Sequence, residues 1–187
     1  METHIYQISA LGSSPGIYIG NHLGNPSPDA FATLNWIPAE GLQLTMWCYE
    51  PTDADTWLAF CLDCYPRYRY KGYLTIEFHS SGANRCTFGA GNINRNDITA
   101  LGIPPLKVQV SRATRDGGTC WMGEVLIPKK ILRKLYGFSE NFHPGHKMRG
   151  NFYSYSENPD HPTWCAWAPT SQPDLHKSEF FGLLEIV

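Results

Sequence analysis

The sequence carries little charge. Asp, Glu, Lys and Arg make up 17% of its 187 residues, with 15 basic and 17 acidic side chains and a formal net charge of −2. No basic run exceeds two residues. Polyanions are held by clustered cations, so this distribution argues against nucleic acid or an anionic membrane as a main partner. Long apolar runs are missing too: none approaches the roughly 20 residues of a bilayer-spanning helix. The opening METHIYQISALG lacks the basic segment and apolar run of a secretory leader. A cytoplasmic location is expected, or a secreted one if a leader has been removed. A second C-x-x-C is absent beside Cys61 and Cys64. Those two sit in an extended-looking segment, where positions i and i+3 point to opposite faces. Neither zinc nor a redox pair is expected there, and all six cysteines are expected as reduced, mostly buried thiols.

Helical periodicity is scarce, and what replaces it is alternation. LQLTMWCYE puts Leu42, Leu44, Met46 and Cys48 on one face. YLTIEFHS puts Leu74, Ile76 and Phe78 on one face and Tyr73, Thr75, Glu77 and His79 on the other. KMRGNFYSYS separates Met148, Phe152 and Ser154 from Arg149, Asn151, Tyr153 and Tyr155. LKVQVSR, WMGEVLI and the closing FFGLLEIV are further strands. A period of two is the pattern of half-buried strands, and Gly- and Pro-containing turns punctuate it. The exception is IPKKILRKLYGF, whose Ile131, Leu132, Leu135 and Tyr136 have helical spacing, with Gly137 as a stop. The expected fold is all-β: a single domain over residues 1–187, built as a two-sheet antiparallel sandwich with jelly-roll or immunoglobulin-like layers and one short helix.

Catalytic signatures are weak. GSSPG at 12–16 has the form G-x-S-x-G but is followed by an extended segment, not a helix, and reads as a turn. FGAGNINR lacks the full dinucleotide fingerprint. Carboxylates occur at Glu50, Asp53, Asp55, Glu77, Glu124, Glu157, Asp160, Asp174 and Glu179, and no local spacing pairs any two of them. Glu77 differs because it stands mid-strand, opposite an apolar stripe.

Residues 150–170 are unusually rich in flat rings: Phe152, Tyr153, Tyr155, Trp164 and Trp167. Such rings either fill a core or offer a surface for something flat. A sugar presents apolar C–H patches to rings and hydroxyls to groups such as Arg149 and Asn151. Trp164 and Trp167 are three apart, so one is expected inside and one outside.

Three segments carry a resemblance. WMGEVLIPKKIL, the run from MRGNFYSYS to FFGLLEI, and GYLTIEFHSSGANRCTFGAGNINRND resemble, in that order, segments of the carbohydrate-binding module family 9-like domains, relatives of the DOMON β-sandwich group. The likeness covers roughly residues 30–187. It implies a sandwich that binds a carbohydrate without catalysis, by ring stacking and polar contacts in a cleft, in the service of glycan breakdown. It implies no resident cofactor, with calcium the one ion the family leaves open. Trp167 resembles the family's stacking Trp, and Asn151, Arg149 and Glu77 resemble polar residues near its sugar site. Trp57, Tyr153, Tyr155 and His176 complete the candidate set. One departure concerns the family's Asp-Ser-x-Glu: here Asp55 stands, but Leu58 occupies the Glu position, against an acidic contact there. Two other readings stay open. One is a glycoside hydrolase using Glu77 with a second carboxylate. The other is a haem domain with ligands such as Met46 or His79 facing one pocket.

Overall fold

A computed structural model describes residues 4–50, 55–66, 72–91, 93–137 and 142–187. Asp53 lies outside them. Among the described residues the first strands are β1 (Ile5–Ile8), β2 (Ile17–Ile19), β3 (Asn21–His22), β4 (Ala30–Ile37) and β5 (Gly41–Cys48). Next come β6 (Thr56–Asp63), β7 (Tyr73–His79), β8 (Asn84–Gly89), β9 (Arg95–Asp97), β10 (Val108–Arg115) and β11 (Gly118–Pro128). Helix α1 (Lys129–Tyr136) follows, then β12 (Lys147–Ser156), β13 (Thr163–Ala166) and β14 (Gly182–Ile186).

The strands form two sheets. The smaller runs β10-β11-β5-β4-β2, antiparallel throughout. The larger runs β1-β14-β12-β6-β7-β8-β9, and β13 extends it by pairing β12 and then β3. Within it β1 pairs with β14 in parallel. The expected sandwich and helix are therefore present.

The alternation decides which side chains meet between the sheets. Leu44 and Met46 of β5, Leu58, Phe60 and Leu62 of β6, Leu74, Ile76 and Phe78 of β7, and Phe152 of β12 share one buried cluster. Phe60 and Phe152, directly opposite in register, stack at 4.6 Å. Cross-strand ring pairs of this kind fix register and add to the gain from burial alone. Helix α1 buries Ile131, Leu132 and Tyr136. The Tyr136 hydroxyl donates to the Leu62 carbonyl at 3.0 Å, which ties the helix to the end of β6. Gly137 ends the helix in the left-handed conformation that glycine adopts without steric cost.

The six thiols are free and buried. Cys61 faces outward and Cys64 joins the inner core, so the C-x-x-C pair diverges as its spacing predicts. Burial pushes the Cys61 thiol up to about 12.

Candidate functional site

The outward face of the larger sheet has its own buried cluster, which includes Trp57, Ala59, Cys61, Tyr73, Tyr153, Tyr155, Trp164, Leu175 and Phe181. A sheet face turned away from the core is ordinarily wet. Here residues 168–181 run back across it as a strap. Ala59, Cys61 and Ala166 are small and leave room beneath the strap, where Leu175 and Phe181 settle. Asn151 fixes the strap's start: its amide nitrogen donates to the Ala168 carbonyl and its amide oxygen accepts from the Ala168 N–H, both at 2.9 Å. Arg149 fixes its end by donating to the Phe181 carbonyl at 2.6 Å.

The strap divides the face into two ends. At one, the register lines up His79, Trp57, Tyr155 and Trp164 across β7, β6, β12 and β13. Trp57 and Tyr155 lie 13° from parallel at 6.5 Å, and Tyr155 meets Trp164 at 5.5 Å. The Tyr155 hydroxyl donates to Glu77 Oε1 at 2.5 Å. Arg85, opposite Glu77 in the β7–β8 hairpin, lies over the Trp57 ring at 4.0 Å. Its guanidinium grips Glu157 with two bonds of 3.1 and 3.3 Å and stands 3.7 Å from Glu77. Burial raises the Glu77 carboxyl above its ordinary range, against the lowering pull of Tyr155 and Arg85. The Trp164 indole N–H donates to Thr170 Oγ1. Trp57, Tyr155 and Trp164 are each 7% exposed, and Tyr73 and Phe181 towards the other end are each 4% exposed. Among the described residues Glu77, Tyr155, Arg85 and Glu157 are bonded to one another, and in that sense this end is closed.

The other end is open. A cleft of about 540 Å³ is lined by Asp63, Tyr73, Arg149, His176, Glu179 and Phe181. Asp63 and Arg149 are register partners on β6 and β12. Tyr73 meets the edge of Phe181 at 5.0 Å, and its hydroxyl shares a hydrogen bond of 3.3 Å with His176 Nδ1. Burial raises the Asp63 carboxyl, while the Tyr65 N–H and the charge of Arg149 pull it down. Burial lowers the His176 imidazole, and the charge of Arg95 lowers it further, so it is neutral near pH 7. The close approach of chains at the cleft's edge needs glycine. Gly72 has φ of 90°, and a Cβ there would fall 2.6 Å from the Gly89 carbonyl oxygen.

The predicted residues thus scatter. Arg149 and His176 border the cleft; Trp57, Tyr155 and Glu77 belong to the closed end. Asn151 and Tyr153 share their face as expected, but both are 0% exposed under the strap. Where the alternation reads them as exposed, both are packed positions beneath the strap. Trp167 and Trp164 do point apart: Trp164 is buried and Trp167 is half-buried, with Trp164 on the outward side of the sheet. Trp164 joins Tyr153 and Tyr155, while Trp167 packs edge-on against Tyr6 and Phe152 at the core's margin. The cause is that β13 ends at Ala166, so Trp167 starts the turn into the strap with its N–H on the Phe152 carbonyl. Tyr73, Asp63, Phe181 and the two arginines Arg85 and Arg95 were not singled out by the sequence. The hairpin around SSGAN would have paired Arg85 with Glu77 by counting back from the turn.

The geometry bears on the other readings. Glu77 and Glu157 are bridged by Arg85 and do not face each other across a cleft. Met46 is inside the sandwich and His79 is at the rim of the outer face, so they share no pocket. Among the described residues no three of His, Cys, Asp and Glu converge as metal ligands.

Comparison with known proteins gives a consistent picture. The profile of Carbohydrate-binding family 9 matches residues 49–186. No curated protein matches. A structure from Bacteroides uniformis ATCC 8492, provisionally named a carbohydrate-binding protein, is similar over 100% of both chains, with 17% identity and a TM-score of 0.74. A family 9 carbohydrate-binding module from Caldicellulosiruptor kristjanssonii, in complex with cellotriose, is similar over 98% of this chain and 93% of its own, at 11% identity and a TM-score of 0.62. A family 9 module from the same organism in complex with glucose gives 98% and 96%, 12% identity and 0.61. At these identities the likeness to the structures is one of fold.

Proposed function

The chain belongs to carbohydrate-binding family 9, and we propose that it binds a neutral carbohydrate, without catalysis, in the cleft beside Tyr73. The observation that carries this reading is the contrast between the two ends of one face. Both hold rings and charges, and the cleft formed by described residues lies at the end of Tyr73. Its volume of about 540 Å³ falls in the usual range for small-molecule sites. Tyr73 and Phe181 supply apolar walls. Asp63 offers carboxylate oxygens as acceptors, and Arg149 keeps donors beyond the nitrogen that holds the strap. Placed opposite one another, they suit adjacent hydroxyls, one donating and one accepting. Neutral His176 can serve either role.

The family 9 modules similar in fold were seen with glucose and cellotriose, so these are the first ligands to test. Calorimetric titration of each should give saturable binding, and prolonged incubation with cellotriose should release no glucose. Asp63→Asn should weaken binding and leave the fold intact. The proposal falls if a broad glycan panel yields no binder, or if Asp63→Asn binds as the parent does.

A further inference from the structure

Arg95 stands outside the cleft's lining, and its side chain makes four hydrogen bonds among the described residues. It lies on β9, the outermost strand of the larger sheet. From there it reaches under two strands. Nε donates to Thr87 Oγ1 at 2.8 Å and one terminal nitrogen donates to the Gly89 carbonyl at 3.0 Å, both on β8. The other terminal nitrogen donates to the Tyr73 carbonyl at 3.0 Å and to Thr75 Oγ1, both on β7. These four bonds engage most of the five donors of a rigid planar fork, a geometry an ammonium does not reproduce. The guanidinium carbon sits 4.4 Å from the centre of the Tyr73 ring. Phe181 meets the same ring edge-on and His176 holds its hydroxyl. Arg95, Phe181 and His176 all meet this ring, and the position of Arg95 is set by four bonds to the sheet.

We infer that Arg95 is a positioning residue: it clamps the Tyr73 ring in the orientation that forms the cleft wall and acts on sugar affinity through that ring without touching the sugar. This rests on the cleft being the sugar site. A clamped ring loses no freedom on binding, whereas a loose one must be ordered by the ligand. Arg95 also ties an edge strand, and an edge tie alone would affect stability and leave the ring's motion unchanged.

The test separates these roles. Arg95→Lys keeps the charge and loses the fork. Cellotriose affinity should fall about tenfold in Arg95→Lys, while the same change made in a Tyr73→Leu background should lower it no further. The aromatic resonances of Tyr73 give a second readout that needs no sugar. They should show a slowly flipping ring in the parent and a faster one in Arg95→Lys. If Arg95→Lys does not fold, Thr87→Val removes one of the four ties and should speed the ring in the same direction. Equal losses of affinity in both backgrounds, or an unchanged ring, would overturn the inference. Should the parent bind no sugar, the functional reading falls, and the ring measurement still decides whether Arg95 clamps Tyr73.

Discussion

The two ends of the outward face share a vocabulary and differ in how it is spent. At the closed end, Glu77, Arg85, Glu157 and Tyr155 satisfy one another over Trp57. At the open end, Asp63 and Arg149 stand opposite in register, with no ion pair between them shorter than 4 Å among the described residues, and a cleft lies beside them. A satisfied network stiffens a fold and offers little to a ligand; polar groups aimed into a hollow recognise one. Composition alone does not distinguish the two, because aromatic and charged residues in one neighbourhood serve either end equally well.

The sharpest way to break this comparison is to remove a ring from the closed end. Trp57→Ala should cost about 3–5 kcal/mol of stability, the usual range for a buried Trp. In denaturant titration it should unfold early, and whatever remains folded should keep its sugar affinity. A stable Trp57→Ala protein that had lost binding would move the site to the wrong end. The converse comes next. Arg149→Ala should lower sugar affinity by roughly 1.5–3 kcal/mol, the range for a hydrogen bond to a charged group, as read by calorimetry. Because Arg149 also holds the Phe181 carbonyl, a modest fall in melting temperature should accompany it.

A smaller effect is expected at Arg85, whose side chain is 45% exposed. Arg85→Ala should cost about 1 kcal/mol or less, since exposed ion pairs and cation–π contacts are worth little. It should uncover Trp57, seen as a shift in indole fluorescence, and leave sugar affinity unchanged. The smallest effect is one of pH. The folded state holds the His176 imidazole below its ordinary value, so on acidification the unfolded chain takes up that proton first. The stability contributed by neutral His176 is full above about pH 6.5 and is lost as pH falls below it. Buried Asp63, Glu50 and Glu77 are raised instead, so they favour the fold as acid is added. Replacing His176 by Asn isolates the opposite sign: between pH 7 and 5.5 the variant should lose less melting temperature than the parent.

The layers of the fold were legible because alternation reports directly which side chains face the core. The faces of β5, β7 and β12 and the extent of α1 followed from period and punctuation. The strap was not legible. Residues 168–181 have no period of their own, and their place over the face depends on Asn151, nearly twenty positions upstream. For that reason Asn151 and Tyr153 looked available and are buried. The division into a closed and an open end was also hidden, since it depends on which cross-strand partners meet. For Trp164 and Trp167 the spacing marks the split, and the end of β13 at Ala166 decides which ring takes which side of the sheet.

The proposal is that sugar enters at the Tyr73 end of this face. Titrating isotope-labelled protein with cellotriose while following backbone amide resonances tests it directly. Progressive, saturable shifts are expected at Asp63, Tyr73, Arg149 and His176 through Phe181, with Trp57, Arg85, Tyr155 and Glu157 unmoved. Shifts confined to Trp57, Arg85 and Tyr155 through Glu157 would contradict it.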